Sequence, residues 1–144
     1  MLLVVLLASA CPAGSPVPGP VVILRPYAPE GPFGGHWGVD LAAPVRSEVR
    51  SLGPGAVTFA GTVAGTTSVT VDHGGGLRTS YSYLSAVSTG LGPVGAGALL
   101  GRSGRDHGLD ALHLSVRVGD RYIDPVRLLT CRLGPPGDAL RLAS

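Results

Sequence analysis

Four histidines, His36, His73, His107 and His113, and one well-spaced aspartate are the residues of this chain best suited to holding a metal ion. His36 and Asp40 are four apart, which puts both side chains on one face of a strand or a helix. An imidazole nitrogen and a carboxylate oxygen are both ordinary zinc ligands. The pair alone is a weak signal, because a simple His–Asp hydrogen bond uses the same spacing. A third ligand must come from elsewhere. His113 stands in an apolar stretch, between Leu112 and Leu114 with Val116 beyond. Taken alone, such a histidine is more often a half-buried, hydrogen-bonded residue than a ligand. His73 reads as part of a hairpin turn beside Asp72. His107 lies in the loop Arg105-Asp106-His107-Gly108, where Arg105, like Arg102, reads as a surface charge.

The elements that must position these side chains read as short strands. Residues 21–24 (Val-Val-Ile-Leu) form a first strand, and a Pro/Gly loop over 26–35 delivers His36. Residues 45–52 and 56–63 follow as strands around the turn Gly53-Pro54-Gly55; the second is β-branched and aromatic, as strands prefer. Residues 68–72 and 77–84 alternate polar and apolar around Gly74-Gly75-Gly76, the pattern of a hairpin. Residues 90–101 are Gly-rich and read as a turn; they lack phosphate-loop spacing and no lysine follows. Residues 112–118 and 121–123 are the last strands, closed by Asp124-Pro125. The result is a mostly β chain with an antiparallel sheet.

The totals agree. The chain has 144 residues, which suits one domain. With 23 glycines, 13 prolines and only 14% charged residues, it favours many turns over long helices. The net charge is +2 and the basic residues are scattered, so nucleic-acid binding is not expected. Residues 1–10 are an apolar, signal-like segment, and Ala8-Ser9-Ala10 fits a small-residue cleavage site, so export is expected. Cys11 follows directly in a loose lipobox context, which raises a membrane anchor through that residue. A Cys11–Cys131 disulfide is open on sequence grounds. Residues 11–20 read as a Pro-rich linker, 21–133 as the domain and 134–144 as a flexible tail with at most one helical turn over 139–142.

The order of segments is more specific than any of them. Gly35-His36-Trp37-Gly38-Val39-Asp40-Leu41-Ala42-Ala43-Pro44 resembles the first motif of the lysostaphin-like (M23) metallopeptidases. Val57 to Gly61, Val71-Asp72-His73-Gly74 with Thr79, Tyr81 to Ser85, Val94 to Gly104, Ala111-Leu112-His113-Leu114-Ser115-Val116-Arg117 and Tyr122-Ile123-Asp124-Pro125 resemble the family's later motifs in order. The resemblance implies a single antiparallel β-sheet sandwich with a groove and one zinc ion. It implies His36, Asp40 and His113 as the zinc ligands, with a fourth position open for water. It implies peptidoglycan peptides as the partner, met outside the cell or in the envelope. A monomer is expected.

The chain departs from that family at two positions. Active members carry two further histidines that hold the attacking water and stabilise the charged intermediate. Here Tyr83 and Ala111 stand in their places. Acid–base help of that kind is worth about 10²–10⁴-fold in rate, and an oxyanion donor about 10²–10³-fold. The phenol of Tyr83 is a partial substitute, and His107 would be another if its loop folds back. Three readings stay open: a weakly active zinc endopeptidase, an inactive wall-binding or regulatory domain that keeps groove and metal, and a structural envelope domain.

Overall fold

The computed structural model describes residues 15–129 and 140–142, the last three by backbone alone. The signal-like segment, Cys11, Cys131 and the rest of the tail lie outside the described residues. In chain order the strands are β1 (Val21–Arg25), β2 (Ala28–Glu30), β3 (Gly34–His36), β4 (Val39–Ala42), β5 (Glu48–Arg50), β6 (Gly55–Val63) and β7 (Thr66–Asp72). There follow β8 (Leu77–Ser82), β9 (Leu84–Val87), β10 (Gly92–Val94), β11 (Leu99–Asp106), β12 (Leu109–Val118), β13 (Arg121–Ile123), the short helix α1 (Val126–Leu129) and β14 (Leu140–Leu142).

The main sheet runs β10-β6-β7-β8-β12-β4-β1-β14, antiparallel except for the β1–β14 pair. Strand β12 is its axis. Its first residues pair with β11 and the middle of the strand with β4 and β8. Strand β11 then leaves the main sheet to pair with β5 and β9. A separate two-stranded ribbon, β2–β3, ends at His36.

Period-two alternation sorts the side chains. On β7, Val69 and Val71 are fully buried, and on β12 so are Leu112, Leu114 and Val116. These residues join Ile23, Leu41, Tyr81 and Leu100 in one core. The intervening positions, among them Ser68, Ser80, Ser82, His113 and Ser115, line an open groove on the opposite face. The groove measures about 520 Å³, within the range of a small-ligand site.

Several stretches differ from the sequence expectation: within the expected 26–35 loop lies the β2–β3 ribbon, and the expected 90–101 turn holds β10 and the start of β11. Residues 140–142 form a strand parallel to β1 rather than a helical turn. Strand β1 otherwise ends the sheet, and an open edge offers unpaired N–H and C=O groups to any short extended segment. The end of the Pro-rich segment is also docked: Val17 is in the core, and the Pro16 carbonyl accepts from the Arg50 N–H.

Candidate metal centre

The main-chain register builds the centre. Asp40 on β4 lies directly opposite His113 on β12, so their side chains share the groove face of the sheet. His36 arrives from the β2–β3 ribbon, where Gly35 takes a left-handed φ of 84°. A side chain at Gly35 would collide with the backbone of Ala28 and Pro29, so only glycine lets the ribbon close there.

The geometry converges on one carboxylate oxygen. His36 Nε2 lies 3.1 Å, and His113 Nδ1 2.8 Å, from Asp40 Oδ1. The His36 and His113 rings meet edge to face with centroids 5.1 Å apart. His36 Nδ1 donates to the Pro26 carbonyl at 2.7 Å. That bond fixes the tautomer that leaves Nε2 free to bind a cation, the usual outer support of a metal-binding histidine. Asp40 is fully buried, with Arg25 Nη1 3.3 Å from Oδ2. Burial alone would raise its carboxyl, but hydrogen bonds with His113 and Asp106 and the nearby imidazoles outweigh it and hold the group down at about 2.

A fourth side chain stands in this cluster. Donor atoms of His36, Asp40, Asp106 and His113 all lie within 4.8 Å of one another. Asp106 escapes sequence reading because its segment looks like a loop. In the structure His107 and Gly108 form a two-residue turn with φ of 50° and 81°, the left-handed pair of a tight hairpin. Strand β11 therefore runs through Asp106, which pairs with Leu109, while Gly104 pairs with Ala111. Counting in twos from His113 through Ala111 to Leu109, and across the ladder, puts Asp106 on the face of His113. The X-Gly pair between two extended runs is the signal that could have found it. Burial, then the hydrogen bond and charge of Asp40, push its carboxyl up to about 6.

The other candidates surround the centre. Tyr83, at the break between β8 and β9, takes a left-handed φ of 62°, unusual for a non-glycine residue. Its ring lies 6.0 Å from that of His113 and 5.9 Å from that of His107. Burial, then the charges of Asp106 and Asp40, raise the phenol, so it stays a hydrogen-bond donor at neutral pH. His107 is at the hairpin tip, two-thirds exposed, with Nε2 3.4 Å from Asp106 Oδ1. It is outside the four-residue cluster. Ala111 is fully buried and brings no polar atom. His73 is remote: it bridges the Pro54 carbonyl and the Thr79 hydroxyl, each at 2.7 Å. Arg105 pairs with Asp110, and Arg102 with Glu48, both partly exposed.

The donor set, two imidazoles and a buried carboxylate beside the groove, suits a divalent metal. A model for peptidase family M23 matches residues 34–125, well over half of the chain. The chain belongs to peptidase family M23. It is 36% identical over 95 residues to the DD-carboxypeptidase/endopeptidase Mpg of Neisseria meningitidis, a match covering 63% of the chain and 22% of that protein. It is 36% identical over 126 residues to an uncharacterized protein of Mycobacterium tuberculosis, covering 81% of the chain and 51% of the relative. The chain thus spans about a fifth to a half of the length of these relatives. Among solved structures, the antimicrobial peptidase lysostaphin from Staphylococcus simulans superposes with a TM-score of 0.65 at 25% identity, covering 80% of this chain and 51% of that one. The M23 fold is mostly β here, as the motif order implied.

Proposed function

We propose that this M23 domain is exported, binds zinc through His36, Asp40 and His113, and engages peptidoglycan peptides in its groove with little or no hydrolysis. The observation that carries this reading is the convergence of His36 Nε2 and His113 Nδ1 on Asp40 Oδ1, beside a groove that His113 lines. These residues fit zinc: nitrogen and carboxylate donors, one of them buried, and an imidazole already oriented by the Pro26 carbonyl. Zinc supplies Lewis-acid polarisation of a peptide carbonyl and activation of water.

The chain's own residues set the rest. The groove floor carries the small hydroxyls of Ser68, Ser80, Ser82 and Ser115, and its walls include Trp37 and Tyr122, whose rings meet at 5.8 Å. Small polar floor residues leave room for an extended peptide with small side chains. Tyr83, with its phenol protonated, can donate to a carbonyl oxygen of such a peptide. No residue at 111 can receive or return a proton, because Ala111 has only a methyl group. That gap favours the binding-domain reading over an efficient peptidase. Export rests on the residue pattern of positions 1–10.

The test is incubation of the zinc-loaded protein with purified peptidoglycan, following both co-sedimentation and new amino termini. The reading expects co-sedimentation that is weakened by Trp37→Ala, with few new termini. No association with peptidoglycan would overturn it.

A further inference from the structure

Asp106 is 1% exposed, and among the described residues neither of its oxygens accepts a hydrogen bond; Asp40 Oδ2 has only the ion pair with Arg25 at 3.3 Å. A buried charged group left without a donor is destabilising by more than about 1–3 kcal/mol. Here that carboxylate faces Asp40, whose Oδ1 meets both imidazoles and whose Oδ2 has the Arg25 guanidinium 3.3 Å away, a placement that calls for either a shared proton or a cation. The neighbours select the cation. His36 Nε2 and His113 Nδ1 are aimed at the same point, and all four donors fall within 4.8 Å of one another. The separations are 3.1 Å for His36–Asp40, 2.8 Å for His113–Asp40 and 3.8 Å for His113 Nδ1 to Asp106 Oδ2. They bracket the edge, about 3.3 Å, of a tetrahedron with zinc bonds near 2.0–2.1 Å.

We propose that Asp106 is a fourth protein ligand, so that His36, Asp40, Asp106 and His113 together close the coordination sphere of one zinc ion. The inference rests on the zinc-binding reading of the other three. Ala111, two residues before His113 on the same face of β12, has only a methyl group there, and Gly104 opposite it lets the Tyr83–Ser85 backbone pack against β11. His107 Nε2, at 3.4 Å from Oδ1, supports the carboxylate from outside and leaves Oδ2 turned to the centre. Closed four-ligand sites are structural, whereas catalytic zinc keeps a position for water. The ion therefore ties the β11–β12 hairpin to β3 and β4, and the groove beside it serves as a binding surface.

The test measures zinc affinity by competition with a chromophoric chelator for the full chain and for Asp106→Asn and Asp106→Ala. Thermal midpoints are taken with and without zinc, and visible spectra with cobalt in place of zinc. The proposal expects zinc affinity to fall at least about 10–100-fold in both variants. It expects the metal-free Asp106→Asn protein to melt no lower than wild type, because one of two facing carboxylates has lost its charge. Added azide should change the spectrum of cobalt-loaded Asp106→Ala and leave that of wild type unchanged. Wild type that binds zinc, with the variants within threefold of its affinity, would overturn the fourth ligand and leave the three-ligand reading standing. So would an azide response in wild type. Wild type that binds no zinc would overturn both.

Discussion

Gly38 lies against the ring of His113: a Cβ at position 38 would sit 2.7 Å from Nε2 and 2.8 Å from Cε1, and 2.5 Å from the Leu114 carbonyl oxygen. Atoms do not approach so closely, so any side chain there must push the imidazole or β12 aside. The glycine two residues before Asp40 is therefore part of what aims His113. Gly38→Ala should weaken zinc binding at least about tenfold and destabilise the fold by about 1–3 kcal/mol, the usual range for overpacking. Chelator competition and thermal melting read the two effects separately.

His113 and His36 should each be needed for the metal. In His113→Ala the zinc-induced rise in melting temperature should vanish. At zinc a thousandfold above its dissociation constant, that rise corresponds to about 4 kcal/mol. Melting with and without zinc checks it, and a zinc response kept in the variant would remove the case for this site.

Much of this site is legible in the sequence, for a physical reason. His36 and Asp40 share a face at four-residue spacing, and His113 lies on an alternating strand whose other face is plainly apolar. The β7–β8 hairpin is legible in the same way, since Val69 and Val71 alternate with polar residues before a triple glycine, and Leu77, Thr79 and Tyr81 alternate with Arg78, Ser80 and Ser82 after it. Asp106 is not legible, because its orientation depends on ladder register and on two left-handed residues, His107 and Gly108. Tyr83 is similar: its positive φ separates β8, which ends at Ser82, from β9, which starts at Leu84, where pattern alone continues one strand. The strand at Leu140–Leu142 depends on a free edge of β1, which only the assembled sheet defines.

The imidazoles absent from positions 83 and 111 limit the chemistry. The combined variant Tyr83→His, Ala111→His and Asp106→Ala should raise peptidoglycan cleavage by about 10²-fold or more, the scale of general acid–base help. The third change clears the space that a side chain at 111 needs and opens a coordination position. Release of new amino termini measures the gain, and an unchanged rate would mean that the limit lies elsewhere in the groove.

His73 belongs to the fold. Its ring joins the Pro54 carbonyl to Thr79, whose hydroxyl meets the buried Tyr81 phenol at 2.8 Å; that phenol accepts from the Leu52 N–H at 3.0 Å. His73→Ala should destabilise the domain by about 1–3 kcal/mol by leaving polar groups unpaired. Zinc affinity should stay within about twofold, since the chain of bonds serves the core face of β8. Denaturant unfolding and chelator competition on one sample separate the outcomes.

The most direct test of the central claim is zinc stoichiometry on purified wild type, His36→Ala and Asp40→Ala, measured by elemental analysis after dialysis against excess zinc. About one zinc per wild-type chain and essentially none in either variant is the expected result. Wild type without zinc, or variants that keep a full equivalent, would contradict it.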